Sequence, residues 1–224
     1  MACCDSSEQS AVSIPGNLQI AVAGNPNCGK SALFNTFTGI RQKTGNWPGV
    51  TVDRKEGQFQ LDDKQVNLID LPGIYSLDAS SLDEKVTRDY LLSRDANLII
   101  NVLDAANLER NLYLTVQLLE MGIPLILCLN MMDVARKRGI SIEIEELSQK
   151  LGCPVVPIVA TTGEGLSELK ARMLDVITNK LDGGYSLAFD DTIEMSISRL
   201  TDLIDEQNTN NRRWLAIKLL EEDS

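Results

Sequence analysis

Residues 24–31 read Gly24-Asn25-Pro26-Asn27-Cys28-Gly29-Lys30-Ser31. This is a complete phosphate-loop pattern, G-x-x-x-x-G-K-S/T, with an apolar run at 18–23 before it and a helix-like run from Ala32 after it. In that setting backbone N–H groups surround phosphate oxygens, Lys30 adds a full positive charge, and the Ser31 hydroxyl is a Mg²⁺ ligand. The sequence therefore predicts a nucleoside-phosphate site, to which we assign Asn25, Asn27, Cys28, Gly29, Lys30, Ser31 and Ala32.

The composition limits which other functions the chain can have. It has 224 residues, a formal net charge of −11, no histidine and five cysteines. The acidic balance, without a large Lys/Arg cluster, argues against a nucleic-acid partner, and the missing histidine removes the commonest general base. An odd number of cysteines without metal-ligand spacing indicates thiols in a reducing cytoplasm rather than disulfides or a zinc site.

The sequence predicts neither a membrane span nor a secretion signal. The longest apolar run, residues 123–129, has the length of a strand and falls well short of the ~20 residues that a span needs. Residues 1–16 are polar and aperiodic, which predicts a disordered leader. Acylation at Cys3-Cys4 is the alternative for this leader, and the sequence favours it less.

Short apolar strands alternate with segments of helical period, which is typical of an α/β fold whose parallel sheet is covered on both faces. The predicted strands are 18–23, 52–60, 65–70, 97–103, 123–129 and 154–159, with a hairpin turn at Asp62-Asp63-Lys64 between the second and the third. The predicted helices are 30–38, 82–93, 109–121, 143–151 and 165–180. A capping box at Ser81 opens one helix, and Gly122 and Gly152 lie where helices end. We assign residues 17–181 to this domain.

The pattern changes after Lys180. Asp182-Gly183-Gly184 interrupts it, and apolar residues then recur at helical spacing, at Phe189, Ile193, Ile197, Leu200 and Ile204. A second helix follows the polar run 207–211 and carries Trp214, Leu215, Ile217, Leu219 and Leu220. Two such helices cannot bury their apolar faces alone, so they pack on the α/β domain, on missing residues, or on a partner. We predict a small helical subdomain at 185–224 and expect it to be truncated.

A second motif points to the base. Asn130-Met131-Met132-Asp133 follows an apolar strand directly, so it lies where the carboxyl end of a strand can reach a ligand. In an N-x-x-D motif at that position, the Asp133 carboxylate accepts hydrogen bonds from N1–H and the exocyclic amine of guanine, a donor pair that adenine lacks. The alternative is an ordinary polar loop, but the upstream phosphate loop favours guanine.

Three further segments complete the predicted site. Asp70-Leu71-Pro72-Gly73 ends another strand, and there Asp70 reaches Mg²⁺ through water while the Gly73 N–H senses the γ-phosphate. Thr51 lies in a Gly/Pro loop that includes Gly49, and it is the natural second hydroxyl ligand for Mg²⁺ in a loop expected to order only around a γ-phosphate. Ala160-Thr161-Thr162 follows the sixth strand, where a backbone N–H, that of Thr161, is expected to meet guanine O6.

With these elements in this order, the chain resembles the TRAFAC-type small GTPases. Longer stretches resemble the cytoplasmic N-terminal GTPase domain of FeoB ferrous-iron transport proteins: residues 24–31, 45–52, 55–57, 70–77 and 107–114. Arg212-Arg213-Trp214-Leu215 resembles part of that family's helical domain, which acts like a guanine-nucleotide dissociation inhibitor. The resemblance covers residues 18–224, and Asn46-Trp47-Pro48-Gly49-Val50-Thr51 is its most specific piece.

The resemblance implies a Ras-like P-loop GTPase with a mostly parallel six-stranded sheet and helices on both faces. It implies slow, Mg²⁺-dependent hydrolysis of GTP to GDP, stimulated by K⁺. The Asn27 side chain and the backbone carbonyls of Gly45 and Trp47 are the implied K⁺ ligands. The implied catalytic residues are Asn27, Lys30, Thr51 and Gly73, and the implied Mg²⁺ ligands are Ser31, Thr51 and Asp70.

The resemblance also implies partners. A membrane permease is expected to follow the C-terminus, which makes this the cytoplasmic domain of a protein at the inner membrane. A homo-oligomer is left open. Two departures from the family pattern bear on the site: Ala160-Thr161 stands where many GTPases have Ser-Ala, and Ser31 replaces a frequent threonine but keeps the hydroxyl. Tyr75 lies near the position of the water-orienting glutamine of Ras-like enzymes and cannot do that task, so we assign no catalytic base.

Two other functions compete with a transport GTPase. One is a nucleotide-gated interaction module whose turnover is incidental. The other is a ribosome-assembly or tRNA-modification GTPase, a class that shares the Asn-Pro-Asn sequence and K⁺ dependence. The acidic charge and the Asn46-Trp47-Pro48-Gly49 segment count against the second of these.

Overall fold

The computed structural model of the chain describes residues 18–39, 42–78, 80–179, 188–204 and 212–221. The predicted leader, the Asp182-Gly183-Gly184 interruption and the polar run 207–211 lie outside these residues. So does the junction between the two predicted domains, so the division at 181 and 185 stays a prediction.

The sheet has seven strands, one more than predicted. They are β1 (Leu18–Gly24), β2 (Gln42–Asn46), β3 (Asp53–Leu61), β4 (Lys64–Asp70), β5 (Leu98–Asp104), β6 (Leu125–Asn130) and β7 (Val155–Pro157). The additional strand is β2, which pairs antiparallel with β3 at the edge of the sheet. Its residues are mostly exposed and polar, so it has no apolar alternation by which the sequence could reveal it.

The strand order is β2-β3-β4-β1-β5-β6-β7. The pairs from β4 through β1, β5 and β6 to β7 are all parallel, whereas β2, β3 and β4 pair antiparallel. The predicted hairpin is confirmed, with Asp62-Asp63 as its turn and Lys64 already in β4. A mostly parallel sheet places the carboxyl ends of its central strands at one edge, where ligands bind in α/β folds.

Eight helices are present in the described residues: α1 (Lys30–Thr38), α2 (Leu82–Leu92), α3 (Leu108–Glu120), α4 (Met132–Lys137), α5 (Ile144–Leu151), α6 (Leu166–Asn179), α7 (Asp191–Leu203) and α8 (Arg212–Leu220). The capping box is confirmed, since Ser81 and Glu84 each bond the other's backbone N–H. Gly122 and Gly152 both have positive φ angles, as expected at helix ends. Helix α4 was not predicted, because its six residues are too short to show a period.

Two apolar clusters cover the two faces of the sheet. Alternate residues of β1, β5 and β6 point to opposite faces, as the two-residue period of a strand requires. Helices α2, α3, α5 and α8 pack on one face, and α1 and α6 pack on the other. Cys28, Cys128 and Cys153 are free and buried in these clusters, and burial raises the pKa of the Cys153 thiol to about 12.

Helix α8 docks on the α/β domain, which is one of the three packing options that the sequence left open. Trp214 is buried in the same cluster as α2 and α3, and α7 packs beside α8. Arg213 joins three helices, because its guanidinium makes a two-pronged contact with Glu194 of α7 at 2.8 Å and bonds Glu120 of α3 at 3.2 Å.

Candidate nucleotide-binding site

The phosphate loop connects β1 to α1 through backbone conformations that only certain residues adopt easily. Gly29 precedes the first turn of α1 with φ +94°, and Asn27 also has a positive φ of 64°. A Cβ at Gly24 would lie 2.3 Å from the Val102 carbonyl oxygen of β5. The loop therefore lies directly against the sheet, and the N-terminus of α1 points away from it toward a ligand.

Asn130 holds the loop in place from the other side. Its buried side-chain amide donates to the Cys28 carbonyl at 2.9 Å, and its carbonyl oxygen accepts from the Ala160 N–H at 2.9 Å. A Cβ at Gly29 would lie 2.1 Å from Asn130 Nδ2. Asn130 thus connects the phosphate loop to the loop after β7, which are the two segments predicted to contact the phosphates and the base.

The residues predicted to bind the base lie at the end of β6 and in the segments that follow β6 and β7. Asp133 lies in the first turn of α4, partly exposed, after Met131 in a left-handed conformation with φ 62°. The N–H groups of Ala160, Thr162 and Gly163 already donate within the protein, to Asn130, Val159 and Val159. Within the described residues Thr161 is the member of this turn whose N–H has no acceptor, which leaves it for the predicted contact with guanine O6.

The phosphate and metal side is a cavity of about 570 Å³. Five predicted residues line it together: Lys30, Ser31, Thr51, Asp70 and Gly73. A Cβ at Gly73 would lie 3.2 Å from Lys30 Nζ, so the D-x-x-G turn closely approaches the phosphate loop.

Asp70 has the environment of a cation ligand. It is 8% exposed, and in the described part of the chain its Oδ1 is buried without a hydrogen-bond donor. Burial raises the pKa of this carboxyl, while Lys30 and Lys55 oppose the rise. A buried carboxylate oxygen with no donor costs free energy unless a cation or ligand satisfies it.

The three residues implied for K⁺ are not brought together in one cavity. Asn27 is exposed and lines a cavity of about 550 Å³ with Tyr75 and Arg110. Trp47 instead is buried against α2, and Gly45 pairs with Arg54 in the β2–β3 ladder. The Trp47 carbonyl accepts from the Val50 N–H at 3.2 Å, so the contacts that order this loop come from the protein itself.

Arg110 was missed as a site residue by the sequence reasoning. Its guanidinium lies 4.2 Å from the centre of the Tyr75 ring, and its carbonyl oxygen accepts a long 3.5 Å bond from Asn25 of the phosphate loop. Its place within the family-like stretch 107–114 was the available signal. Arg110 therefore connects the segment after Gly73 to the phosphate loop.

A polar junction between the site and α8 was also missed. Asp78, which follows the D-x-x-G segment, accepts from Gln117 of α3 at 3.1 Å and from the buried Lys218 ammonium of α8 at 3.1 Å. Gln117 in turn accepts from the Leu77 N–H at 2.8 Å. No local signal identifies this junction, because its members are separated by 39 and 140 positions in the sequence.

Family models match the chain in two segments. The model described as Ferrous iron transport protein B matches residues 18–173, and the FeoB cytosolic helical domain matches residues 189–224. The Fe(2+) transporter FeoB of Salmonella typhimurium (strain LT2) is 50% identical over 211 residues, and that of Escherichia coli (strain K12) is 50% identical over 212. Each alignment covers 92% of this chain and 27% of the transporter.

Solved structures of the same family share the fold. The GMPPNP form of the cytosolic domain of T. maritima FeoB has a TM-score of 0.86 at 43% identity, covering 92% of this chain and 82% of that one. A GDP-bound mutant of S. thermophilus NFeoB has a TM-score of 0.85 at 44% identity, covering 92% and 80%. The cytosolic domain of L. pneumophila FeoB has a TM-score of 0.84 at 37% identity, covering 92% and 90%.

The chain spans about a quarter of the length of the transporters that it matches, 27%. Among the described helices, none has both the length and the apolar character to span a bilayer. The phosphate loop, the guanine motif and the seven-stranded sheet all agree with the family match. The chain therefore belongs to the FeoB family of ferrous iron transport proteins.

Proposed function

We propose that this chain binds GTP, hydrolyses it slowly, and thereby regulates ferrous-iron transport by a permease attached to its C-terminus at the inner membrane. The observation that carries the proposal is the shared cavity of Lys30, Ser31, Thr51, Asp70 and Gly73. These residues come from three different segments of the sequence and provide a cation, two hydroxyls, a carboxylate and a backbone amide. That combination suits a triphosphate with its Mg²⁺.

The residues present fit Mg²⁺. Ser31 and Thr51 offer hydroxyl oxygens as ligands. The buried Asp70 Oδ1, which has no hydrogen-bond donor among the described residues, would bind the cation directly or through a water. Bound there, the ion would neutralise charge on the β- and γ-phosphates. Lys30 adds positive charge on the same phosphates, and the Gly73 N–H is placed to bind the γ-phosphate.

We assign no general base to the attacking water, although the carboxylates of Asp53 and Asp83 also line this cavity. Dissociative phosphoryl transfer needs positioning and charge stabilisation more than proton abstraction. Backbone groups of the Thr51 and Gly73 segments are therefore expected to orient the water, which agrees with slow turnover. K⁺ held by Asn27 and the carbonyls of Gly45 and Trp47 would supply the charge that an arginine finger supplies elsewhere; those residues must first come together.

The signal is expected to leave the site through Asp78. Loss of the γ-phosphate frees Gly73, and Asp78 lies five positions further along the same segment. Asp78 bonds Gln117 and Lys218, so a shift of this segment would change the contact between α8 and the α/β domain.

The Asp78–Lys218 pair is charged. Hydrogen bonds from Ser76, Lys218 and Gln117 hold the pKa of Asp78 below its ordinary value despite the opposing effect of burial, and the acidic partners Glu221 and Asp78 raise the pKa of Lys218. The pair therefore stays charged near neutral pH.

The test is phosphate release from GTP, with ATP as the control, at matched ionic strength in K⁺ and in Na⁺. We expect turnover with GTP only, faster in K⁺, and loss of the K⁺ effect but not of the basal rate in Asn27→Ala. Lys30→Ala is expected to abolish nucleotide binding, whereas Lys150→Ala, on the exposed face of α5, leaves it unchanged. Undiminished GTP affinity in Lys30→Ala would contradict the site.

A nucleotide-gated interaction module is the second candidate, and the Asp78–Lys218 junction favours it. The junction transmits a conformational change whether or not hydrolysis is fast. A turnover close to zero, together with a large difference in permease affinity between the GTP and GDP forms, would support this candidate over the first.

A further inference from the structure

The loop between β2 and β3 carries Thr51 to the metal cavity by folding on itself. The Trp47 N–H donates to the Val52 carbonyl at 2.9 Å, and the Val50 N–H donates to the Trp47 carbonyl. Gly49 makes the turn with φ +76°. Thr51 is exposed and directly precedes Val52, which closes the turn, so its position follows that of Trp47 and Val52 at the base.

The Trp47 side chain attaches this turn to α2. It is 6% exposed, and its ring meets the ring of Tyr90 edge-on, with centroids 5.3 Å apart and planes at 66°. The Arg54 guanidinium lies 4.6 Å from the centre of the indole. Val50 and Val52 pack against the same apolar cluster. Such an aromatic pair with a cation over it is a favourable, geometrically specific contact.

The strand that leads into the turn buries little of its own surface. Strand β2, which leads into the turn, is largely exposed and polar and lies at the edge of the sheet. Within the described residues the Trp47 indole N–H is buried with no acceptor, which is unfavourable. The indole nevertheless remains against Tyr90, so its ring packing outweighs this cost and fixes the turn.

Tyr90 does not line the metal cavity. It lines a separate cavity of about 420 Å³ on the far side of the turn, together with Trp47, Val50 and Arg54. Burial raises the pKa of Tyr90 to about 12, so its ring stays neutral throughout the range in which a nucleotide would bind. Tyr90 meets the Thr51 turn through the Trp47 ring, so we expect its effect on a ligand to pass through Trp47.

We infer that Tyr90, acting through Trp47, is a positioning residue that presents the Thr51 hydroxyl to Mg²⁺ and the γ-phosphate. The inference rests on the proposed function, because presenting Thr51 matters only if a triphosphate binds in that cavity. GDP has no γ-phosphate for the Thr51 turn to close on. Loss of the Tyr90 contact should therefore weaken binding of a GTP analogue and slow turnover, while GDP affinity stays the same.

The experiment compares affinities for GDP and a non-hydrolysable GTP analogue, both with Mg²⁺, alongside kcat and KM for GTP. We expect Tyr90→Ala to weaken binding of the GTP analogue relative to binding of GDP by about tenfold, and we expect the same of Thr51→Ala. Tyr90→Phe should match the unmodified protein, because the phenol oxygen makes only a 3.5 Å contact with Gln19. Phe59→Ala is the matched control, since it removes a buried aromatic from the opposite face of the sheet.

A purely structural role would lower the melting temperature in Tyr90→Ala and Phe59→Ala alike without changing the ratio of the two affinities. The inference would be overturned if the affinity for the GTP analogue relative to that for GDP were unchanged in Tyr90→Ala but lowered in Thr51→Ala. Failure of the unmodified protein to bind either nucleotide would instead overturn the proposed function. If Tyr90→Ala does not fold, Tyr90→Leu, which fills more of the space, carries the same test.

Discussion

At the scale of single residues, Asp133 is the residue that we propose to select the base. Its carboxylate lies on the first turn of α4 and is partly exposed, so a base can reach it. The sequence singled out this residue and the phosphate loop because both belong to short motifs with a fixed chemical task; their roles stay predictions. Arg110 has no such motif, and its stacking on Tyr75 depends on a contact between segments 35 positions apart that local patterns do not encode.

Asp133→Asn should change the base preference from guanosine to xanthosine nucleotides. The carboxylate accepts two donors of guanine, and hydrogen bonds to a charged group contribute roughly 1.5–3 kcal/mol each. We expect GTP affinity to fall at least tenfold to a hundredfold and XTP affinity to rise, measured by equilibrium binding of both nucleotides. Unchanged GTP affinity would mean that the base lies elsewhere.

At the scale of elements, features that neighbouring residues determine could be predicted from the sequence, whereas contacts between distant segments could not. The capping box before α2 and the glycines that end α3 and α5 were predicted from the sequence, since residues next to a helix end determine its cap. Strand β2 was not predicted, because its sequence is polar and its strand conformation depends on pairing with β3. The place of α8 was not readable either, since Arg213 meets Glu120 across 93 positions.

Asn130→Ala should destabilise the protein and loosen the nucleotide loops together. The substitution leaves the buried Ala160 N–H and the Cys28 carbonyl without partners, at about 1–3 kcal/mol for each unsatisfied group. We expect the free energy of unfolding to fall by roughly 2–6 kcal/mol in urea titrations. A fall of the same size in Asn179→Ala, on the surface of α6, would show that the tie between the loops is not the cause.

Acid should weaken the contact between α7 and α8. The Arg213 guanidinium bonds Glu194 and lowers the pKa of that carboxyl to about 2, from an ordinary 4.5. Since the folded pKa is the lower one, the stabilisation is full above pH 4.5 and is lost as pH falls toward 2. The difference in unfolding free energy between the protein and Glu194→Gln should shrink over this window; a constant difference would contradict the assignment.

At the scale of the whole molecule, the nucleotide site and α8 are parts of one assembly. Both the Thr51 turn, through Trp47, and α8, through Trp214, pack into the same apolar cluster. The Asp78–Lys218 bond adds a polar connection between the segment after Gly73 and α8. The sequence predicted the two parts but not their contact, because the residues that meet, such as Asp78 and Lys218, are 140 positions apart and share no local pattern.

Lys218→Met should disconnect α8 from the nucleotide state. In the unmodified protein we expect amide hydrogen exchange in residues 212–220 to differ between the GDP and GTP-analogue forms. The variant keeps much of the apolar stem but loses the bond to Asp78, so this difference should disappear while nucleotide affinity stays the same. A retained difference would show that the apolar contact of Trp214 transmits the change.

The division of the sheet into two faces has a practical consequence. Trp47, Tyr90 and Trp214 all belong to the face covered by α2, α3, α5 and α8, whereas α1 and α6 cover the other with an apolar cluster of their own. Helix α6 therefore lies on the opposite face of the sheet from the Trp47, Tyr90 and Trp214 side chains. A reference dye attached to an exposed position of α6, such as Glu168, gives a point on that opposite face from which the distances to the Thr51 turn and to α8 can be measured.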